Sequence, residues 1–143
     1  MRRRAIKAAG ANIGRLRHHA RRAGVNPKDL IGARKCPLEL VPPVSLIYQA
    51  EAMRQGAEKY GSYNWRKKKV RAMIYVGAAL RHLLAYVDGE NQATDSGISH
   101  IAHALACLGI LADATEGGFL YDDRPVQGAA SKVIARFDRS TVR

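Results

Sequence analysis

The sequence predicts an all-α protein, a compact bundle of three core helices with a basic N-terminal arm and a short C-terminal extension. Apolar residues recur at helical spacing through three segments, from about Val44 to Tyr60, from Val70 to Val87, and from Ile98 to Leu111. No segment alternates apolar and polar residues as a half-buried strand would. The links between these segments are short and hold Gly, Asn and Asp, so consecutive helices should pack as antiparallel neighbours.

Along the chain, residues 5–23 predict a basic helix ending at Gly24. Its Ile6, Ile13 and Leu16 are too sparse to bury a face, so it is expected to order on contact with a partner. Residues 24–43 contain several turn-formers and Pro42-Pro43, and read as extended chain that wraps rather than stacks. One of those prolines opens a helix from about Val44 to Tyr60, with Leu46, Ile47, Ala50, Met53, Ala57 and Tyr60 on one side and Gly61 at its end. Gly61, Ser62 and Asn64 then form a loop carrying Trp65 and the basic run Arg66 to Lys69. In the helix from Val70 to Val87, Arg81 and His82 straddle the edge of the apolar stripe. The turn Asp88-Gly89-Glu90 follows. The next helix has Asp95 or Ser96 as its N-cap and runs to about Ala114, with Ala102, Ala104, Ala106 and Gly109 allowing close approach of a partner. The tail carries Gly117-Gly118 and Asp122-Asp123-Arg124-Pro125, then a short amphipathic helix with Val133, Ile134 and Phe137. The expected organisation is an arm (1–25), a helical domain (26–125) and a tail (126–143). The Ala-rich faces of a three-helix core suggest that a homo-oligomer completes the burial.

The net charge of +12 is unevenly placed. Residues 1–38 hold 11 Lys and Arg against the single acid Asp29, and residues 39–143 hold 13 against 11 acids. The excess therefore belongs to the arm. Such an arm attracts nucleic acid, nucleotide phosphates or an acidic protein face, or serves solubility alone. Cys36 and Cys107 show no paired spacing, which argues against a disulfide framework and for a reducing cytoplasm. No apolar run approaches the length of a membrane span. The N-terminus lacks the apolar stretch of a signal peptide, although its Arg-rich, acid-poor composition has something of a transit peptide.

The stretch DSGISHIAHALACL, Asp95 to Leu108, carries the most chemistry. His100 and His103 stand three positions apart and so share a helix face, with His82 on the preceding helix. Neutral imidazole ligates borderline divalent metals and titrates near physiological pH, so such a cluster suits a metal site or proton transfer. A core histidine satisfied by one hydrogen bond is the plain alternative.

The series NPKDLIGARKCPLELVPP, GAEKYGSYNWR, VRAMIYVGAALRHLLAYVDGE, DSGISHIAHALACLGILADA and FLYDDRP, in that order from about Asn26 to Pro125, closely resembles the phage and prophage family of dATP/dGTP diphosphohydrolase N-terminal domains. The resemblance implies hydrolysis of a deoxynucleoside triphosphate to monophosphate and pyrophosphate, in phage management of the nucleotide pool. It also implies a distant likeness to the all-α MazG-like pyrophosphohydrolases, which bind Mg²⁺ through ExxE on one helix and ExxD on the next. This chain departs from that pattern. His100 and His103 occupy the place of ExxD, and Arg81-His82 lies where the acidic cluster would be. Histidines hold Mg²⁺ poorly and favour Mn²⁺, Zn²⁺ or Ni²⁺. Either the metal differs, or acids from elsewhere bind it, or nucleotide is bound without cleavage.

Chemistry on a triphosphate needs cations, a means of activating water and a grip on the base. Lys59, Arg66 and Arg81 are the candidates for phosphate, with Lys67 to Lys69 as a softer attraction, and Tyr60, Asn64 and Trp65 for a purine base through stacking and an amide edge. His82, His100 and His103 are the candidates for catalysis, and Glu90, Asp95, His100 and His103 for a divalent metal. Each has a plain alternative: Trp65 as a plug of the core, Lys59 as the end of a helix, Arg81 as a partner of Asp88 or Glu90, and Asp95 as a helix cap. Three functions are compatible with these residues: a metal-dependent nucleotide pyrophosphohydrolase, a nucleotide-sequestering protein, or a helical oligomer that meets nucleic acid through residues 1–23.

Overall fold

The computed structural model describes Gly24 and residues 26–138. The expected basic helix over residues 5–23 lies outside them. The chain divides between Pro43 and Val44 into two compact units.

The described part of the first unit corrects one expectation, because residues 24–43 are not extended throughout. Helix α1 spans Pro27–Gly32 and a 3₁₀ turn spans Leu38–Leu40. The local chemistry explains α1. Asn26 is its N-cap, the side-chain oxygen accepting from the Lys28 amide at 2.9 Å, and Pro27 occupies the first helical position, where its missing N–H costs nothing.

The second unit is entered through α2, Pro43–Tyr60, and continues with the short α3 (Asn64–Lys67), β1 (Val70–Arg71), α4 (Ala72–Val87), α5 (His100–Gly117), β2 (Leu120–Tyr121) and α6 (Ala130–Phe137). The architecture is all-α, as expected, with α2, α4 and α5 as the three long helices. The two strands are a departure. They pair in parallel, Val70 with Leu120 and Arg71 with Tyr121, and two residues are too few to leave an alternation in the sequence.

Helices α4 and α5 form the main packing and run antiparallel. His82, near the end of α4, meets His100 and His103 at the start of α5, while Tyr75 and Ile110 meet around Trp65 at the other end. Small side chains are buried on both helices, Ala79 on α4 and Ala102, Ala104 and Ala114 on α5. Ala52 and Met53 bring α2 onto Ala102 and Ala106. Gly109 permits a close approach there: a Cβ on it would collide with the Gln49 amide, which donates to the Leu105 carbonyl at 3.1 Å.

The start of α5 differs from the sequence reading. Asp95 and Ser96 do not cap it. Residues 91–100 fold back on themselves, with a bridge between Gln92 and Ser99, the Ala93 amide donating to the Ile98 carbonyl, and Gly97 at φ +68°. Only glycine turns the chain there without strain, so the helix begins at His100 with Ser99 as its N-cap. At its other end α5 runs three residues past Ala114. Gly118 adopts φ +74° and the Phe119 amide donates to the Ala114 carbonyl at 2.8 Å, a Schellman-type stop.

The FLYDDRP segment has a structural task. Asp123 Oδ1 accepts from the Met73 amide at 2.8 Å in the first turn of α4, and Oδ2 pairs with Arg71 Nε at 3.0 Å. A carboxylate from 50 residues away thus satisfies a helix N-terminus that lacks a cap of its own. Asp123→Ala should lower the thermal unfolding midpoint and increase amide exchange at Met73, leaving the His82 environment unchanged in NMR spectra.

Candidate functional site

The antiparallel pairing of α4 and α5 puts all three histidines in one place. The His82 and His103 rings stack with centroids 4.6 Å apart and planes at 13°. His82 Nδ1 lies 2.9 Å from His100 Nδ1, and the buried His100 directs Nε2 at Glu90 Oε2, 3.3 Å away. Ser96 Oγ is 3.0 Å from His103 Nε2, so the residue expected as a cap is instead a partner of the cluster.

Burial is the main cause that lowers the His82 and His103 values below those of ordinary imidazoles, and the neighbouring imidazoles add to it; the Asp95 carboxylate opposes the shift at both. Both rings are therefore neutral near pH 7 and can accept a proton or donate a lone pair. The sign of the pH effect follows. Between the lowered native values and the ordinary value of 6.5, the unfolded chain binds more protons than the native one, so stability is present above 6.5 and is lost as pH falls through that window. The unfolding midpoint should drop as pH falls below 6.5, and drop less in a His82→Gln, His103→Gln double variant.

A cavity of about 340 Å³ opens beside this cluster, between α2, α3, α4 and α5. His82, His103 and Asp95 line it, as do Lys59, Tyr60, Asn64 and Trp65. Met53, Ile74, Tyr75, Ala106 and Ile110 make much of the remaining wall apolar. Burial pushes the Tyr75 phenol and the Cys107 thiol upward, so both face the cavity uncharged.

Seven of the eleven candidate residues thus share one cavity, and four stand outside it. His100 and Glu90 lie behind His82. Arg81 is exposed and folds back along its own helix toward Gly77. Arg66 makes two bonds to Asp113, at 2.8 and 2.5 Å, and its guanidinium covers the Tyr63 ring at 4.9 Å. Trp65 is a cavity wall and a core plug together: it is 7% exposed, packs with Val70 and Ala114, and donates from Nε1 to Asp113 at 2.6 Å.

Asp113 is the residue that the sequence reading missed. The Arg66 guanidinium, and then the Trp65 N–H, hold its carboxyl down to about 2. A signal was present, since Asp113 is the sole acid between His100 and Thr115 and a carboxylate on an apolar helix needs partners. By contrast, the expected metal set does not converge. Among the described residues no three His, Cys, Asp or Glu side chains are arranged to hold a cation. Both ring nitrogens of His100 are taken, by His82 and Glu90.

An all-α domain with a partly apolar cavity of this size, edged by neutral imidazoles, an ammonium and a carboxylate, has the makings of a small-molecule site. The chain belongs to the family described as dATP/dGTP diphosphohydrolase, N-terminal, which matches residues 25–124. It is 31% identical over 74 residues to a dATP/dGTP diphosphohydrolase of Salmonella phage PMBT28, a match covering 52% of this chain and 25% of that protein. No solved structure matches the chain. Among the described residues no helix is long and apolar enough to cross a membrane.

Proposed function

We propose that this chain binds a purine deoxynucleoside triphosphate in the cavity between α2, α4 and α5 and hydrolyses it to monophosphate and pyrophosphate, in the nucleotide-pool chemistry of a phage. The observation that carries this reading is the meeting of two neutral imidazoles, His82 and His103, with the Lys59 ammonium and the Asp95 carboxylate around one cavity. The family and the phage relative's name support the choice of substrate. In this reading a water oxygen attacks the α-phosphorus, the bond from that phosphorus to the bridging oxygen breaks, His82 takes the water proton, and pyrophosphate leaves. Lys59 offsets phosphate charge, and Tyr60, Asn64 and Trp65 meet the base. Arg66 is committed to Asp113, which favours Lys59 over it as the phosphate contact.

The divalent cation, Mg²⁺ or Mn²⁺, belongs to the substrate in this reading: it arrives on the triphosphate, and Asp95 is the carboxylate that faces it across the cavity. A closed Zn²⁺ or Ni²⁺ centre has no donor set among the described residues. Self-association is part of the proposal too, because Ile74, Leu84 and Val87 on α4 and Leu46 and Ile47 on α2 are each more than half exposed. A second copy would cover them. Contact with nucleic acid through residues 1–23 rests on residues outside the described ones.

The test is to incubate the protein with each dNTP and NTP in Mg²⁺, Mn²⁺ or EDTA and to follow monophosphate and pyrophosphate by chromatography. Metal-dependent conversion of a purine deoxynucleotide is the expected result. The second reading is nucleotide binding without cleavage, favoured by the missing cluster of metal ligands. It predicts an intact nucleotide retained by the protein in EDTA.

A further inference from the structure

The residues behind His82 form a chain of hydrogen bonds whose proton positions can be worked out. Glu90 Oε2 is a carboxylate oxygen and accepts, so His100 Nε2, 3.3 Å away, carries a proton. A neutral His100 then presents a bare lone pair at Nδ1. That nitrogen faces His82 Nδ1 at 2.9 Å, and two lone pairs cannot face each other at that distance. His82 Nδ1 therefore carries the proton of that bond, and the lone pair of His82 is left at Nε2. His82 is also the member of the trio that lines the cavity while making this bond, whereas His100 is buried at 6% exposure and lines none of it.

We infer that Glu90 and His100 are positioning residues that fix the tautomer and ring orientation of His82, so that its Nε2 is the proton acceptor presented to the substrate's water. The inference rests on the hydrolytic reading for its consequence, and on the hydrogen-bond geometry alone for the tautomer. The logic is that of a carboxylate behind a catalytic histidine, here with a second imidazole between them. It gives Glu90 a role different from metal ligation, and it explains why a histidine with both ring nitrogens engaged lies buried beside the cavity without touching it. No covalent change occurs along the chain. When His82 Nε2 gains the water proton, the imidazolium remains hydrogen-bonded through Nδ1–H to His100 and is stabilised at one remove by the Glu90 charge.

The experiment uses the full chain labelled with ¹⁵N in its histidines and observed by two-bond ¹H–¹⁵N correlation near pH 8, with His82→Gln and His100→Gln spectra assigning the signals. The expected spectrum has His82 protonated at Nδ1 and bare at Nε2, and His100 protonated at Nε2. Glu90 is 61% exposed at its side chain, so its variants should keep the fold. Glu90→Ala should move His82 toward a mixture of tautomers and lower kcat by roughly 10- to 100-fold, with KM unchanged within about twofold. Glu90→Gln offers His100 an amide oxygen but also an N–H and no charge, so it should recover the tautomer and kcat only in part. A carboxylate needed for metal would not be rescued in that way. His82 protonated at Nε2 in the unsubstituted protein would overturn the inference, as would a Glu90→Ala protein with the original tautomers and kcat. An unsubstituted protein that turns over no nucleotide refutes the hydrolytic reading, and the spectra still decide the proton chain.

Discussion

Replacing His82 by Asn should lower kcat for a purine deoxynucleoside triphosphate by about 10²- to 10⁴-fold, the usual worth of a positioned general base, with nucleotide affinity nearly unchanged. Asn keeps a polar amide on the cavity wall but offers no basic nitrogen. The pH profile should carry the same signature. Because burial and the neighbouring imidazoles hold His82 below the ordinary value of 6.5, activity should persist below pH 6.5 and fall on a single acid limb beneath it, a limb absent from the residual activity of His82→Asn. Chromatographic rates across pH, with affinity measured separately by calorimetry, check both parts. Turnover retained in His82→Asn would remove His82 from the chemistry and transfer the role to His103, the other neutral imidazole on the cavity.

Trp65→Ala should have the largest effect on stability, about 3 to 5 kcal/mol from lost burial and the void it leaves. Trp65 is the largest buried side chain among the described residues, and it links the short helix α3 to Val70 on β1 and Ala114 on α5. For a chain of this size that loss lowers the unfolding midpoint by on the order of 10 to 15 °C. Trp65→Phe separates packing from recognition. It keeps an aromatic face for a base while leaving Asp113 with Arg66 as its remaining side-chain partner. Nucleotide affinity close to that of the unsubstituted protein in Trp65→Phe, beside a lowered midpoint, is the expected pair of results from calorimetry and thermal unfolding.

How much of this was legible from residues alone depended on the range of the interactions involved. The three long helices follow from apolar spacing and local stop signals, and their observed bounds, Pro43–Tyr60, Ala72–Val87 and His100–Gly117, lie within a few residues of those read from the sequence. Gly61 ends α2 as expected, at φ +85°. The largest displacement is at the start of α5. A cap signal at Asp95-Ser96 lost to the Gln92–Ser99 fold-back, which is a pairing across seven residues with no periodic trace. The Val70–Leu120 pairing and the Asp123 carboxylate at the start of α4 were illegible for the same reason, since each joins segments about 50 residues apart.

The candidate site divides along that line. The presence of His82, His100, His103, Lys59 and Trp65 on neighbouring helices is a matter of residue type and spacing, because the 3.6-residue period puts side chains three or four apart on one face whatever the partner. Their roles depend on which face meets which. The antiparallel seam of α4 and α5 buries His100 between His82 and Glu90, leaves His82 and His103 on the cavity, and ties Trp65 and Arg66 to Asp113. Composition and period determine which chemical groups this protein has and the helices that carry them. Burial and hydrogen-bond partners, which exist only once distant helices pack, decide which imidazole holds a free lone pair, which arginine is already spent on a carboxylate, and which tryptophan serves the core.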